Sequence, residues 1–155
     1  MWRNGDTLNE NDKEEISKIV RRTHGLWISI LLVADGFTVM TTIKAFLKGE
    51  LSPFLVIASI VLLLLALWNI KRGQKRLSIL KENTFEWIED TIVGMTGGGR
   101  YQHPLPRGTA DIYHTQQPFF SFHEGDRVIG VRFHPDKTDK WYNYHNISEP
   151  IAYKI

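Results

Sequence analysis

The chain has 155 residues and a formal net charge of only +2, so bulk charge does not make it a binder of long polyanions. It contains no cysteine, which excludes disulfides and thiolate zinc sites. The mean hydropathy of -0.22 is that of a soluble protein. This average hides a division, because residues 26–70 are overwhelmingly apolar whereas residues 71–155 are polar, aromatic and rich in turn residues.

The first 24 residues predict a cytoplasmic N-terminal helix. In "NENDKEEISKIVRRTH", Asn11 or Asp12 is placed to cap a helix, and acidic residues precede basic ones as the helix dipole favours. Arg21 and Arg22 follow, just before the apolar segment. They either contact anionic lipid or serve only to set the membrane topology.

Residues 25–70 predict a hairpin of two transmembrane helices. The runs "GLWISILLVADGFTVMTTIKAFL" (25–47) and "FLVIASIVLLLLALWNI" (54–70) reach the length of about 17–25 residues that a membrane-spanning helix needs. A signal peptide is the competing interpretation of the first run. It is disfavoured because the run begins after 24 polar residues and no small-x-small cleavage site follows. The short linker "KGELSPF" makes the two helices antiparallel.

Basic residues set the orientation of this hairpin. The connecting loop offers Lys44 and Lys48, whereas more basic residues flank the outer ends of the two runs: Lys13, Lys18, Arg21, Arg22, Lys71, Arg72, Lys75 and Arg76. The positive-inside rule therefore predicts an inner-membrane protein with both termini in the cytoplasm. Trp27 and Trp68 fall at the same predicted interface.

A carboxylate stands inside the first run, in "LLVADGFTVM". Asp35, Thr38 and Thr42 share one helical face, at i, i+3 and i+7. Charged groups within a span are costly and usually face a bundle interior or water. This polar stripe therefore lines a pore or holds several hairpins together. The alternative is a protonated acid that is hydrogen-bonded in a static helix contact.

The rest of the chain predicts a connecting helix over 71–95 and a ligand-binding domain over 96–155. Apolar residues recur at three and four residues up to Met95, and Asn83 followed by Glu86 resembles a capping box. From Gly97 onward, short aromatic and β-branched segments predict strands, among them "RVIGVRF" and "PIAYKI". The predicted fold is thus a membrane α-helical hairpin plus a small, strand-rich cytoplasmic α+β domain. Its thin core favours a homo-oligomer.

Two segments of this domain are candidate anion-binding sites. In "TGGGRYQHPLPRGT", the glycines could form an anion nest, Arg100 and Arg107 could grip phosphate, Tyr101 could stack on a base, and His103 could hydrogen-bond to one. The alternative is a flexible linker, and no P-loop spacing is present.

The second segment, "VRFHPDKTDKWYNYH", mixes basic and aromatic residues, and its candidate ligand residues are Arg132, His134, Lys137 and Trp141. The alternative is a solvated turn followed by an aromatic strand. From residue 77 onward there are 8 Lys/Arg and 10 Asp/Glu. A local anion site in such a mildly acidic domain favours a small nucleotide over long RNA or DNA.

Neither a metal site nor an enzyme is predicted. The histidines of the C-terminal part are 9 to 11 residues apart, whereas zinc ligands usually include a pair three to five apart. A metal site assembled from separate strands or subunits stays open. No Ser-His-Asp, paired-carboxylate or Cys-His arrangement has a recognisable spacing, so no catalytic residue and no cofactor is expected.

The layout resembles that of the two-span membrane effectors of type III CRISPR antiviral signalling, which sense cyclic tetra-adenylate. The resemblance lies in "VLLLLALWNIKRGQKR" leading to "GGGRYQHPLPR" and "VRFHPDKTDKWYNYH", and it covers the arrangement of the whole chain without an exact motif. It implies a homo-oligomer, a tetramer, that binds the cyclic oligonucleotide. Binding would then perturb the spans and open a pore or disrupt the membrane.

Two alternatives remain from the same residues. One is a two-span effector that holds a cyclic dinucleotide in a small barrel, although about 60 residues provide fewer strands than such a barrel needs. The other is an immunity protein or membrane adaptor that binds no nucleotide. In that case the glycine-rich loop is a linker and Asp35 is a packing contact.

Overall fold

A computed structural model describes residues 1–50, 52–96, 103–108, 114–115, 122–134 and 150–155. The chain divides into two compact units. The sheet unit comprises Met1–Ile19 and Arg76–Ile155, and the helical unit comprises Val20–Lys75. Both termini of the chain therefore belong to the sheet unit, which was not apparent from the sequence.

Two long helices account for the helical unit. Helix α1 spans Glu10–Leu47 and helix α2 spans Pro53–Glu82. Both are long and apolar enough to cross a membrane. Gly49, with φ of 74°, lies in the turn that follows α1. Large apolar side chains such as Val33 and Phe37, 74% and 72% exposed, are not covered by the described part of the chain.

Helix α1 begins two or three residues earlier than the sequence suggests. The side chain of Asn9 accepts a hydrogen bond from the backbone N–H of Asn11 (3.1 Å), so Asn9 is the N-cap residue and the predicted caps Asn11 and Asp12 lie inside the helix. Before it come strand β1, Arg3–Asn4, and a 3₁₀ helix, Gly5–Thr7. The N-terminal segment is thus more than the helix predicted for residues 1–24.

The helix predicted over 71–95 is wrong beyond Glu82, because Asn83 ends α2 instead of starting a new helix. Asn83 adopts a left-handed conformation (φ 57°). Its N–H donates to the Leu80 carbonyl, and the Thr84 N–H donates to the Ile79 carbonyl (3.2 Å). This is the Schellman pattern of a helix C-terminus. Strand β2, Glu86–Thr96, then follows.

The strands form one small, mainly antiparallel sheet. Strands β3 (His103–Pro106), β4 (His114–Thr115), β5 (Arg127–Arg132) and β6 (Ile151–Lys154) complete the set in the described ranges. The order is β1-β2-β5-β6-β4, and β3 pairs with the C-terminal half of β2. Among the described strands, β4 and β6 are the only parallel pair. The strands predicted in "RVIGVRF" and "PIAYKI" are confirmed.

The sheet is covered on both faces. On one face, Ile88, Ile92, Phe122, Val128 and Ala152 form a buried cluster. The other face contributes buried side chains from alternate positions of β5 and β6: Ile129, Val131, Ile151 and Tyr153. Here the guanidinium of Arg76 lies 5.3 Å from the centre of the Phe133 ring, which meets Tyr153 edge to face. The last turns of α2 therefore contribute to this core.

Gly5, which follows β1, packs closely against Phe85, which follows α2. Substitution of Gly5 tests this contact. The Gly5 N–H donates to the Phe85 carbonyl (2.8 Å), and a Cβ built on Gly5 would lie 2.5 Å from the Phe85 ring. We expect Gly5→Ala to destabilise the protein by about 1–3 kcal/mol, as overpacking does. Thermal unfolding of the detergent-purified chain, followed by tryptophan fluorescence, measures the effect.

The matched control for this measurement is Gly25→Ala. A Cβ at Gly25 meets no atom within 4 Å, so alanine there should leave the unfolding temperature unchanged or raise it. Equal unfolding temperatures for wild type and Gly5→Ala would show that the N-terminal segment does not pack against Phe85.

Candidate functional site

Asp35 in α1 forms a hydrogen bond with α2 of the same chain. The hydroxyl of Ser59 donates to Asp35 Oδ1. Asp35 is only 8% exposed, although its neighbours Val33 and Phe37 are largely exposed. Ser59 was not identified from the sequence as the partner of Asp35. It could have been found as the one hydroxyl residue in 54–68. A single chain therefore supplies the carboxyl group with a partner, as the static-contact alternative requires.

The two threonines of the predicted stripe use their hydroxyl groups inside α1. Thr38 donates to the carbonyl of Ala34 (3.0 Å), and Thr42 donates to that of Thr38 (2.8 Å). Such bonds to the preceding turn satisfy a hydroxyl group in an apolar environment. Of these three residues, Asp35 alone has a side-chain bond to α2 within the described part of the chain.

A second polar contact joins the helices nearer to their outer ends. His24 Nδ1 and Asn69 Oδ1 are 2.6 Å apart, and His24 is 8% exposed. Gly73, one turn beyond Asn69, makes room for the imidazole, since a Cβ there would lie 2.9 Å from His24 Cγ. The two contacts are eleven residues apart along α1 (His24 to Asp35) and ten along α2 (Ser59 to Asn69). This spacing sets the antiparallel register of the hairpin.

In the sheet unit, the candidate ligand residue Arg132 is engaged by its own chain. Its guanidinium lies 3.9 Å from the centre of the Trp2 ring, and its Nη1 is 4.0 Å from the carboxylate of Glu86, its register partner on β2. His134 follows two residues later and is half-buried. Arg132 thus helps to hold the N-terminal segment on the sheet.

The described end of the glycine-rich segment shows backbone amides that already bind a carboxylate. Oδ1 of Asp90 accepts hydrogen bonds from the N–H groups of Thr91 (2.8 Å), Arg107 (3.0 Å) and Gly108 (2.9 Å). Asp90 is only 6% exposed. The amides of Arg107 and Gly108 therefore form the kind of nest that suits an anion, but the anion is the side chain of Asp90. The side chain of Arg107 itself is exposed.

The structure does not bring the described residues of the two candidate anion-binding segments together. Arg107 is bonded to Thr91 on β2, whereas Arg132 lies opposite Glu86, five residues away and therefore about 17 Å along the strand. His103 opens β3, and its backbone pairs with Thr96. Arg100, Tyr101, Lys137 and Trp141 lie outside the described residues. No group of three or more metal-ligating side chains occurs in the part of the chain that the structure describes.

Two more cations of the sheet unit are held in ion pairs. Glu89 accepts a hydrogen bond from Arg127 Nε (2.6 Å), which raises the pKa of Arg127. Lys154 Nζ lies 2.7 Å from the carboxylate of Asp126; this bond, together with one from the His123 N–H, lowers the pKa of Asp126. Elsewhere in the sheet unit, an open cleft of about 610 Å³ has an acidic lining that includes Asp6, Glu82 and Glu86. Neither feature suits an anionic ligand.

The Asp35–Ser59 contact is testable by a double-mutant cycle. We expect Asp35→Ala and Ser59→Ala to be non-additive, with a coupling of about 0.6 kcal/mol and at most about 1.7, as for side-chain bonds between membrane helices. Unfolding in mixed micelles by added SDS measures it. Ser29→Ala is the control, since within the described residues the hydroxyl of Ser29 bonds only to the Gly25 carbonyl of its own helix. Strictly additive effects of the two substitutions would show that the Asp35–Ser59 contact does not stabilise the hairpin.

The Asp90 bonds predict an ordered pair of effects on stability. Asp90→Ala removes the charged acceptor that the N–H groups of Thr91, Arg107 and Gly108 share, and should destabilise the protein by about 1–3 kcal/mol, the scale of lost hydrogen bonds to a charged group. Asp90→Asn keeps an acceptor oxygen and should cost less. Chemical denaturation of the detergent-purified chain compares them. Equal losses for the two variants would indicate that the negative charge of the carboxylate matters, and not the presence of an acceptor oxygen alone.

Comparisons with known proteins found no relative of this chain: no family model, no curated protein and no solved structure matches it. The candidate sites therefore stand on their geometry. That geometry consists of two polar contacts between the helices and, in the sheet unit, a buried carboxylate surrounded by backbone donors.

Proposed function

We propose that this chain is a two-span effector of the cell membrane, with both termini in the cytoplasm, which acts on the membrane in response to a small anionic ligand. The observation that carries the membrane part is the exposed apolar surface of the hairpin. Exposed apolar side chains occur along both helices, among them Ile30, Leu32, Val33, Phe37, Ile43, Phe46, Phe54, Ile57, Leu64 and Leu67. Patches of this extent on a protein usually mark contact with lipid or with another protein.

Both helices of the hairpin are built into the unit that would receive the signal. Residues 10–19 of α1 and residues 76–82 of α2 belong to the sheet unit. Ile16, Ile79 and Leu80 are buried there. A ligand that binds one arrangement of the sheet unit better than another shifts the population toward it. Because each helix runs without a break from the sheet unit into a span, a conformational change in the sheet unit would be transmitted to the spans.

The proposed ligand is a cyclic oligoadenylate, with cyclic tetra-adenylate as the leading candidate and prokaryotic antiviral defence as the setting. The support is the layout resemblance and the basic and aromatic residues Arg100, Tyr101, Lys137 and Trp141. A ligand with repeat symmetry suits a symmetric homo-oligomer, a tetramer for four adenylates, because each subunit contributes the same contacts. The output is a pore or a general disruption of the membrane, without catalysis.

A second candidate is a membrane adaptor or immunity protein that binds no nucleotide. Two observations favour it. Arg132 contacts Trp2 and Glu86 of its own chain, and Asp90 fills the amide nest at Arg107 and Gly108. In this role the sheet unit presents a protein-binding surface, and the Asp35–Ser59 bond is structural.

Thermal shift with a nucleotide panel separates the two candidates. The full chain is used in detergent, because a fragment that begins near residue 77 lacks β1 and the buried Ile16. Cyclic tetra-adenylate at about 100 times its dissociation constant should stabilise the protein by about 2.7 kcal/mol, a shift of several degrees. Linear tetra-adenylate and cyclic di-, tri- and hexanucleotides complete the panel.

Variants and a second readout sharpen this test. Arg100→Ala and Trp141→Ala should abolish the shift, whereas Lys48→Ala, in the turn after α1, should retain it. Dye release from liposomes should require the same ligand. No change in unfolding temperature with any nucleotide would contradict the nucleotide-sensor proposal and favour the adaptor.

A further inference from the structure

One end of the helical unit concentrates positive charge. By the register that the His24–Asn69 contact sets, Arg21 and Arg22 of α1 come level with Lys71 and Arg72 of α2, and Lys75 lies one turn further on. We call these five residues the basic end: Arg21, Arg22, Lys71, Arg72 and Lys75. All except the half-buried Arg72 are exposed.

No acidic residue of the helical unit lies near the basic end. In residues 20–75 the acids are Asp35 and Glu50. Asp35 is thirteen residues from Arg22, about 20 Å along the helix, and is bonded to Ser59. Glu50 belongs to the opposite end, where it accompanies Lys44 and Lys48. The two ends of the hairpin thus differ strongly in charge.

Aromatic rings adjoin the basic end on the apolar side. Trp27 and Trp68 are 48% and 51% exposed. The guanidinium of Arg72 lies 5.3 Å from the centre of the Trp68 ring, which keeps this cation beside an indole. Indole rings prefer the headgroup level of a bilayer, so these two residues place the five cations at or just beyond that level.

We propose that the basic end is a binding surface for the headgroups of anionic phospholipids. This inference rests on the proposed membrane insertion and names the lipid partner of that hairpin. Cations from two neighbouring helices face one layer of headgroups, and the tryptophans hold them at its depth. Each basic residue close to an anionic membrane surface contributes about a fivefold preference, so the proposed surface selects for anionic lipid rather than merely setting the orientation.

Quenching by brominated lipids tests the proposal with the full chain reconstituted in vesicles. Tryptophan fluorescence is titrated with brominated phosphatidylglycerol or brominated phosphatidylcholine in a phosphatidylcholine background, which yields the relative association constant of the two lipids. Wild type should prefer phosphatidylglycerol by about fivefold or more at 0.1 M salt, and 1 M salt should remove most of this preference, since the screening length falls from about 10 Å to about 3 Å.

Two double variants give a matched comparison, because each removes two exposed lysines. Lys71→Gln with Lys75→Gln should lower the preference by more than about twofold and at most about 25-fold, one fivefold step per lysine, and the three arginines should retain part of it. Lys44→Gln with Lys48→Gln, at the other end of the hairpin, should change it by less than about twofold. An equal loss in both would overturn the proposal, because bulk charge would then explain the preference.

The remaining outcomes separate this inference from the proposed function. Equal quenching of wild type by both lipids would overturn the basic end as a headgroup surface while leaving membrane insertion in place. Absence of quenching by either lipid would overturn insertion itself and, with it, this inference.

Discussion

The hydrogen bond between Asp35 and Ser59 helps to fix the register in which the two helices of the hairpin pair. A carboxyl group in an apolar helix must find a donor, and here the facing helix of the same chain provides it. Together with the His24–Asn69 contact, it specifies which residues of α1 and α2 lie side by side. Apolar side chains alone define such a register poorly, because leucine and isoleucine pack almost equally well after a shift of one turn. The positions of the tryptophans and of the basic end follow from this register.

In the sheet unit, too, buried or half-buried polar groups fix which segments of the chain lie side by side. Asp90 is buried and binds three backbone N–H groups, so it fastens the end of β3 to β2. Arg132 binds Trp2 and Glu86, so it fastens the N-terminal segment to β5 and β2. Arg132, a candidate ligand residue by sequence, and Asp90, which the sequence did not single out, both hold distant segments of the chain together. A ligand site in this unit would have to draw on residues beyond these.

Sequence reasoning succeeded where the signal was local and failed where a partner was distant. The two apolar helices follow from long runs of apolar residues, and β5 and β6 follow from short β-branched and aromatic segments. The segment after Asn83 was misassigned because its apolar spacing also fits a helix. What makes it a strand is pairing with β1, β5 and β3. Similarly, nothing in the sequence around Asp35 identifies Ser59, twenty-four residues away, as its donor.

By itself, the sequence determined that the chain has two helices able to span a membrane, a short turn between them and a strand-rich remainder, because hydropathy and turn chemistry act over a few neighbouring residues. The tertiary structure decided how these parts pair: Asp35 with Ser59, Arg132 with Trp2, Asp90 with the amides at Arg107 and Gly108. It also decided that the first nineteen residues belong with the C-terminal half. The physical reason is that a hydrogen bond or an ion pair depends on proximity in space, which the order of residues does not specify.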